Sequence, residues 1–178
     1  IELKNTGGST VDITSWWFCS LFSYAQLSSL PVESGSLTLA SGSLVVLSGF
    51  SLNNTVADLG LYNTNSFGSG TAMEDFVEWG NHSQGRENVA EGKGIWPVNE
   101  FVPTVISGHS IEWKATGDGS SHWYDQAIPT LGAENTLPVE LSSFTATVLD
   151  LNVTLRWRTE TEVNNAEFQV ERKFLRKK

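Results

Sequence analysis

Apolar and polar positions alternate in short runs along most of the chain, and Gly, Ser, Thr or Asn closes nearly every run. Sustained apolar spacing at three and four residues is missing. A period near two sends successive side chains to opposite faces of a strand, so the pattern predicts an all-β fold. Ile1 and Leu3 alternate up to the turn Asn5-Thr6-Gly7-Gly8, and Val11 with Ile13 resume the alternation toward Trp16 and Trp17. These two runs are predicted to pair as a hairpin. Leu37 and Leu39 precede a turn over 40–43 and the continuous apolar run Leu44–Leu47. Leu59, Leu61 and Tyr62 follow Asn53 and Asn54; Phe76, Val77 and Trp79 form another run; Ile111 and Trp113 lead into Gly117-Asp118-Gly119. About seven turn-bounded strands suit an immunoglobulin-like antiparallel β-sandwich. Neighbours on a strand face opposite ways, so only one of Trp16 and Trp17 is expected inside. Tyr62, Phe76 and Trp79 are expected as core rings.

A second alternating region begins near Leu137. Its runs cover 141–148, 153–157 and, after a polar connection, 168–170. Three strand-like runs cannot close a sandwich that normally has about seven strands. The expected organisation is therefore a β-sandwich over 1–136, a short linker near Glu134 to Pro138, and an incomplete second β module over 137–178.

Charge separates the same two regions. Through Thr136, fourteen Asp and Glu face only Lys4, Arg86, Lys93 and Lys114, a balance of −10; the remainder carries six acids and seven bases, +1, within the overall −9. An acidic first domain repels phosphate backbones and anionic lipid, which disfavours nucleic-acid binding and membrane attachment. Arg172, Lys173, Arg176, Lys177 and Lys178 form a short terminal charge run, the usual composition of solvated chain. Cys19 is the only cysteine, so intrachain disulfides and cysteine zinc sites are excluded, and its apolar neighbours suit a small buried hydrophobe. No apolar run is long enough to span a bilayer as a helix.

Several blocks carry a family resemblance. IELKNTGGSTVDITSWWF resembles the opening of lamin-tail domains, in which an I-E-L strand turns through an Asn- and Gly-rich corner into V-D-hydrophobic and a Trp. LTLASGSLVVLSG, ADLGLYN, DFVEWG, GRE and PTLGAEN resemble later blocks of that family and occur in its order, over roughly Ile1 to Asn135. Two departures stand out: the family's strand before I-E-L is missing, and Leu131 replaces a proline of the closing motif. LPVELSSFTATVLDLNVTLRWRTETEVNNAEFQVER resembles the start of the fibronectin type III-like module that precedes the sorting tail of type IX-secreted proteins of Bacteroidota. These resemblances imply a secreted or cell-surface bacterial protein whose partners are its own further domains, a glycan or a cell-surface protein.

Candidate chemistry is sparse. His109 beside Ser110, and Ser120, Ser121 and His122 near Asp125, contain the residue types of a serine hydrolase, but GHSIE lacks the last glycine of a G-x-S-x-G elbow and no helix pattern follows it. Glu74, Asp75 and Glu78, with Glu87, Glu91 and His82 nearby, and Asp118 with Asp125 and His122, are candidate oxygen ligands for a structural calcium ion, though without EF-hand spacing. Paired carboxylates also serve glycoside hydrolysis, but no cleft is legible. Among seven tryptophans, Trp96 and Trp123, with Trp113, fall near loops or strand ends, where an exposed indole stacks on a sugar ring. No cofactor is expected beyond that calcium. The function expected is a non-catalytic structural or interaction module of an exported multidomain protein. An accessory domain of a secreted hydrolase such as a nuclease, or a carbohydrate-binding module, stands as the alternative.

Overall fold

The computed structural model describes residues 1–114, 117–133, 135, 140–150 and 152–161. The chain divides into two compact units, Ile1–Asn135 and Thr136–Lys178. Its described parts form antiparallel sheets with one short α-helix, an all-β sandwich of immunoglobulin-like character.

In the first unit, β1 (Glu2–Lys4) and β2 (Val11–Asp12) do not pair as the predicted hairpin. β1 pairs with β7 (Leu44–Leu47), and β2 pairs with β6 (Thr38–Leu39). The registers Glu2↔Val46 and Val11↔Leu39 describe two stretches running antiparallel past each other, with a local offset where both turn a corner. Asn5 is the reason for the corner. Its backbone N–H donates to Ser43 O, its carbonyl accepts from Gly42 N, and its buried side chain donates to Ser9 O at 2.8 Å and Leu39 O at 2.9 Å. Gly42, which donates to the Asn5 carbonyl, takes φ 77°, a conformation open to glycine.

β5 (Val32–Gly35) completes a three-stranded sheet in the order β1-β7-β5. The second sheet has the order β4-β3-β8-β9, from β3 (Trp17–Ser20), β4 (Ser23–Gln26), β8 (Ala57–Tyr62) and β9 (Met73–Trp79). Ile13, Phe18, Leu27, Leu39, Val45 and Leu47 form one buried cluster. A second gathers Cys19, Tyr62, Met73, Phe76, Trp79, Val89, Ala90, Trp96 and Val102. Tyr62, Phe76 and Trp79 are core rings, as their aromatic surface leads one to expect. Neither Trp16 nor Trp17 takes the fully buried position: both are half-buried, Trp16 against the first cluster and Trp17 against the second, and Phe18 lies at the centre.

The helix α1 (Glu87–Lys93) packs against β9 and belongs to the second cluster through Val89 and Ala90. Glu87 in its first turn and Lys93 in its last complement the peptide dipoles, and Gly94 at φ 83° closes it with N–H bonds to Ala90 O and Glu91 O. A further ladder joins β10 (Ser110–Trp113) to β11 (Trp123–Gln126).

The second unit contains one described ladder, β12 (Glu140–Leu149) against β13 (Asn152–Thr161). Its register places Phe144, Ala146 and Val148 opposite Trp157, Leu155 and Val153 on one face, with Ser143, Thr145 and Thr147 opposite Arg158, Arg156 and Thr154 on the other. The predicted run 168–170, the linker near residues 134–138 and the basic end lie outside the described residues, apart from Asn135.

Candidate functional site

The register of β8 and β9 sets two acids face to face. Asp58 pairs with Glu78 across the ladder, on the sheet face that also carries Gly60 and Phe76. Like charges directly opposite destabilise a sheet, and both side chains are completely buried. The Gly80–Arg86 corner supplies the compensation. Gln84 N–H donates to Glu78 Oε1 at 2.5 Å, Ser83 N–H to Glu87 Oε2 at 2.5 Å, and Arg86 N–H to Asp58 Oδ2 at 2.9 Å. Leu21 N–H reaches Asp58 Oδ1 at 2.7 Å from the β3–β4 turn. One carboxylate thereby ties two surface segments together.

Two glycines make this approach feasible. At Gly80, φ 81°, a Cβ would lie 2.0 Å from Thr55 O; at Gly85, φ 41°, it would lie 2.2 Å from Asp58 Oδ2. Only glycine fits such contacts at positive φ. Pairing is nevertheless incomplete: Glu78 Oε2 and Glu87 Oε1 are buried without a donor, and Arg86 Nε and Tyr62 OH are buried without a partner. Burial first, then the neighbouring Glu87, pushes the Glu78 carboxyl well above the ordinary range. Burial also raises Asp58, opposed by the N–H bonds from Leu21 and Arg86. Beside this cluster, Ser83, Gln84, Glu87, Glu91 and Asn99 help line a polar pocket of about 320 Å³.

Above Asp58 lies an exposed aromatic tip. Leu21 and Phe22 form the two-residue turn between β3 and β4, at φ 46° and 63°. Such turns favour Asn-Gly because both central residues take positive φ, and bulky side chains there are strained. Phe22 is 57% exposed, with the Arg86 guanidinium 4.8 Å from its ring centre. Arg86 Nη2 donates to Tyr24 OH at 3.1 Å, and Tyr24 stacks on Phe67 at 4.1 Å.

The predicted sites distribute differently. Glu74 is exposed and accepts from Asn63 Nδ2; Asp75 is exposed and accepts Phe76 N–H at 2.8 Å; Glu78 is buried in the cluster above. Asp118 is exposed, and Asp125 pairs with His109 at 2.5 Å. Among the described residues no three His, Cys, Asp or Glu side chains are placed to hold a metal ion together, so these candidates do not form the expected calcium site. Glu74 and Asp75 lie at the irregularity in the β8–β9 register and face solvent, whereas Glu78 lies further along β9 in the buried cluster.

Trp96 requires a correction. It is 2% exposed, meets Phe76 edge-on at 5.4 Å and donates its indole N–H to Glu100 O at 2.9 Å. It is a core ring with no face free for a sugar. Trp123 is half-buried against the same cluster and lies opposite Trp113 in the β10–β11 ladder.

The hydrolase residues do not assemble either. Ser110 Oγ donates to Glu112 at 2.8 Å, apart from the His109–Asp125 pair, while Ser120 donates through both N–H and Oγ to Glu100. Glu112 is a structural hub: it also accepts from Tyr124 OH and from the N–H and Oγ1 of Thr130, fastening the closing segment to β10. Burial, then the Glu112 charge, pushes the Tyr124 phenol up to about 12.

Phe22, Tyr24, Asp58 and Arg86 carried no functional expectation from the sequence. Two local signals mark them: an acid among the apolar positions of ADLGLY, and a β-turn written Leu-Phe. No family model matches this chain, and no curated protein or solved structure matches it.

Proposed function

We propose that the first unit is a non-catalytic interaction module of an exported, multidomain bacterial protein, and that the Phe22 turn is its contact point. The observation that carries this reading is the turn itself. Two consecutive large apolar residues at positive φ cost stability, and strain of this kind concentrates where a surface is used for recognition. Arg86 and Tyr24 brace the exposed ring instead of burying it. The ordered lamin-tail-like blocks and the fibronectin-like opening support the assignment to a secreted or surface protein assembled with other domains.

A carbohydrate-binding role draws on the same tip, because exposed rings beside a guanidinium suit the apolar face and hydroxyls of a sugar. The double substitution Leu21→Asn with Phe22→Gly separates recognition from folding. On a glycan panel and on the purified further domains of the parent protein, wild-type binding should be lost in the variant while the fold is kept. Binding that survives the substitution would place the contact elsewhere. The chain should also lack turnover on ester, peptide, nucleic-acid and glycan substrates. Turnover lost in Ser110→Ala, Ser121→Ala or His122→Ala would overturn the non-catalytic assignment.

A further inference from the structure

The buried acid layer beneath the Gly80–Arg86 corner leaves two oxygens unexplained. Glu78 Oε2 and Glu87 Oε1 are out of contact with solvent and receive no donor, while the other oxygen of each carboxyl takes a backbone N–H from Gln84 or Ser83. The adjacent Ser83 and Gln84 amides hold the two buried carboxyls as neighbours, and two ionised carboxylates have no hydrogen to offer each other. We infer that Glu78 and Glu87 hold one proton between them, and that this shared proton latches the Gly80–Arg86 corner to the sheet. Glu78 then donates O–H to the Glu87 carboxylate. Base removes that proton to water, leaving two anions in contact without a donor between them.

The surroundings favour the shared proton. From β8, Asp58 adds a third acid opposite Glu78, already engaged by the Leu21 and Arg86 N–H groups. From β3, Cys19 faces Asp58 and Arg86, its thiol pushed up by burial and then by Asp58. Tyr62 OH is buried without a partner, and burial raises its phenol. On the corner itself, His82 bonds Ser83 Oγ by the surface. Arg86 is the cation of this neighbourhood, but its Nη2 donates to Tyr24, its guanidinium lies over the Phe22 ring, and its buried Nε is bonded to neither orphaned oxygen. No cationic side chain is hydrogen-bonded to either orphaned oxygen, so the pair lowers its charge by keeping a proton.

The latch reaches the surface tip by covalent continuity. Ser83, Gln84 and Arg86 are the donors held by Glu87, Glu78 and Asp58, and the Arg86 side chain lies under the Phe22 ring. Loss of the proton frees the corner and with it the support of the tip, giving the surface a pH-dependent order.

The test is carboxyl ¹³C NMR of the full 178-residue chain across a pH series, with amide exchange at Ser83 and Gln84 measured in parallel. One carboxyl of the pair should titrate clearly above the other glutamates. Through the same step, protection of the two amides should fall by about tenfold or more, the factor equivalent to one unit of proton affinity. Glu78→Gln, whose amide N–H permanently replaces the proton, should abolish the high-pH step and keep both amides protected; Glu87→Gln should do the same if Glu78→Gln does not fold. Ordinary titration of both carboxyls would overturn the inference. So would a step that persists in the glutamine variants, or one abolished by calcium alone, which would mean that a cation bridges the pair.

Discussion

The β4-β3-β8-β9 sheet and the β12–β13 hairpin are built by the same local rule and end in opposite states. Both alternate apolar and polar residues in antiparallel register. In the sheet, Phe18, Cys19, Tyr62, Phe76 and Trp79 are buried by the layers against them. In the hairpin, the face carrying Phe144, Val148, Val153 and Trp157 stands exposed, Phe144 at 57% and Val148 at 71%. Alternation makes a ladder with one apolar face; stability comes from what covers that face, since a lone two-stranded ribbon is marginal in water. Among the described residues the covered sheet also contains the buried acids Asp58 and Glu78, and burying them requires backbone donors from a third segment.

The largest test of this contrast is truncation of one ring in each region. Phe18→Ala should cost about 3–5 kcal/mol, and Phe144→Ala about 0.5 kcal/mol or less, in denaturant unfolding of the full chain. Equal costs would mean that the hairpin face is as well covered as the sheet. Next comes Gly85→Ala, which puts a Cβ against Asp58 at positive φ. It should destabilise the first unit by about 1–3 kcal/mol and leave the hairpin unchanged, as read by residue-level amide exchange.

The pH dependence of the first unit follows the buried pair. Glu78 has its carboxyl raised from 4.5 to about 8, so the folded state binds the proton more tightly than the unfolded chain. Its contribution is full below about 4.5 and is lost as pH rises toward about 8. Thermal melts should therefore show the first unit losing about 1–3 kcal/mol over that range, comparable to an unmade buried hydrogen bond, and Glu78→Gln should flatten the loss. A rise in stability over the same range would reverse the sign and refute the assignment. The smallest effect is at the turn: Leu21→Asn with Phe22→Gly should stabilise by about 0.5–1 kcal/mol by relieving positive-φ strain. An unchanged or lower melting temperature would show that the turn is not strained.

Strand identity was legible because it is local. The runs over 59–62, 76–79 and 141–148, with the glycine and asparagine turns between strands, needed only nearest neighbours to be recognised, and they fall within Ala57–Tyr62, Met73–Trp79 and Glu140–Leu149. The core roles of Tyr62, Phe76 and Trp79 followed from their large aromatic rings within strand-like runs. The candidate site was barely legible. Glu78 and Glu87 stood among the acids named from the sequence, but as calcium ligands, while Asp58 and Phe22 were not singled out and Arg86 entered only as a cation and part of the GRE block.

Partner choice was decided by tertiary structure. Asn5 and its glycines are equally compatible with a hairpin and with a corner, and hydrogen bonds to Leu39 and Ser43, more than thirty residues away, select the corner. Trp96 has the sequence neighbourhood of a surface loop, yet Phe76 and Val102 draw it into the core. Asp58 and Glu78 meet through a cross-strand register, and Glu87 joins them from a helix. By itself the sequence determined which residues alternate, where the chain can bend, and how acidic the first region is. Which apolar faces are covered, and which acids must share a proton, depended on contacts between segments far apart in the chain, because burial and electrostatic coupling belong to three-dimensional neighbours and leave no period along the sequence.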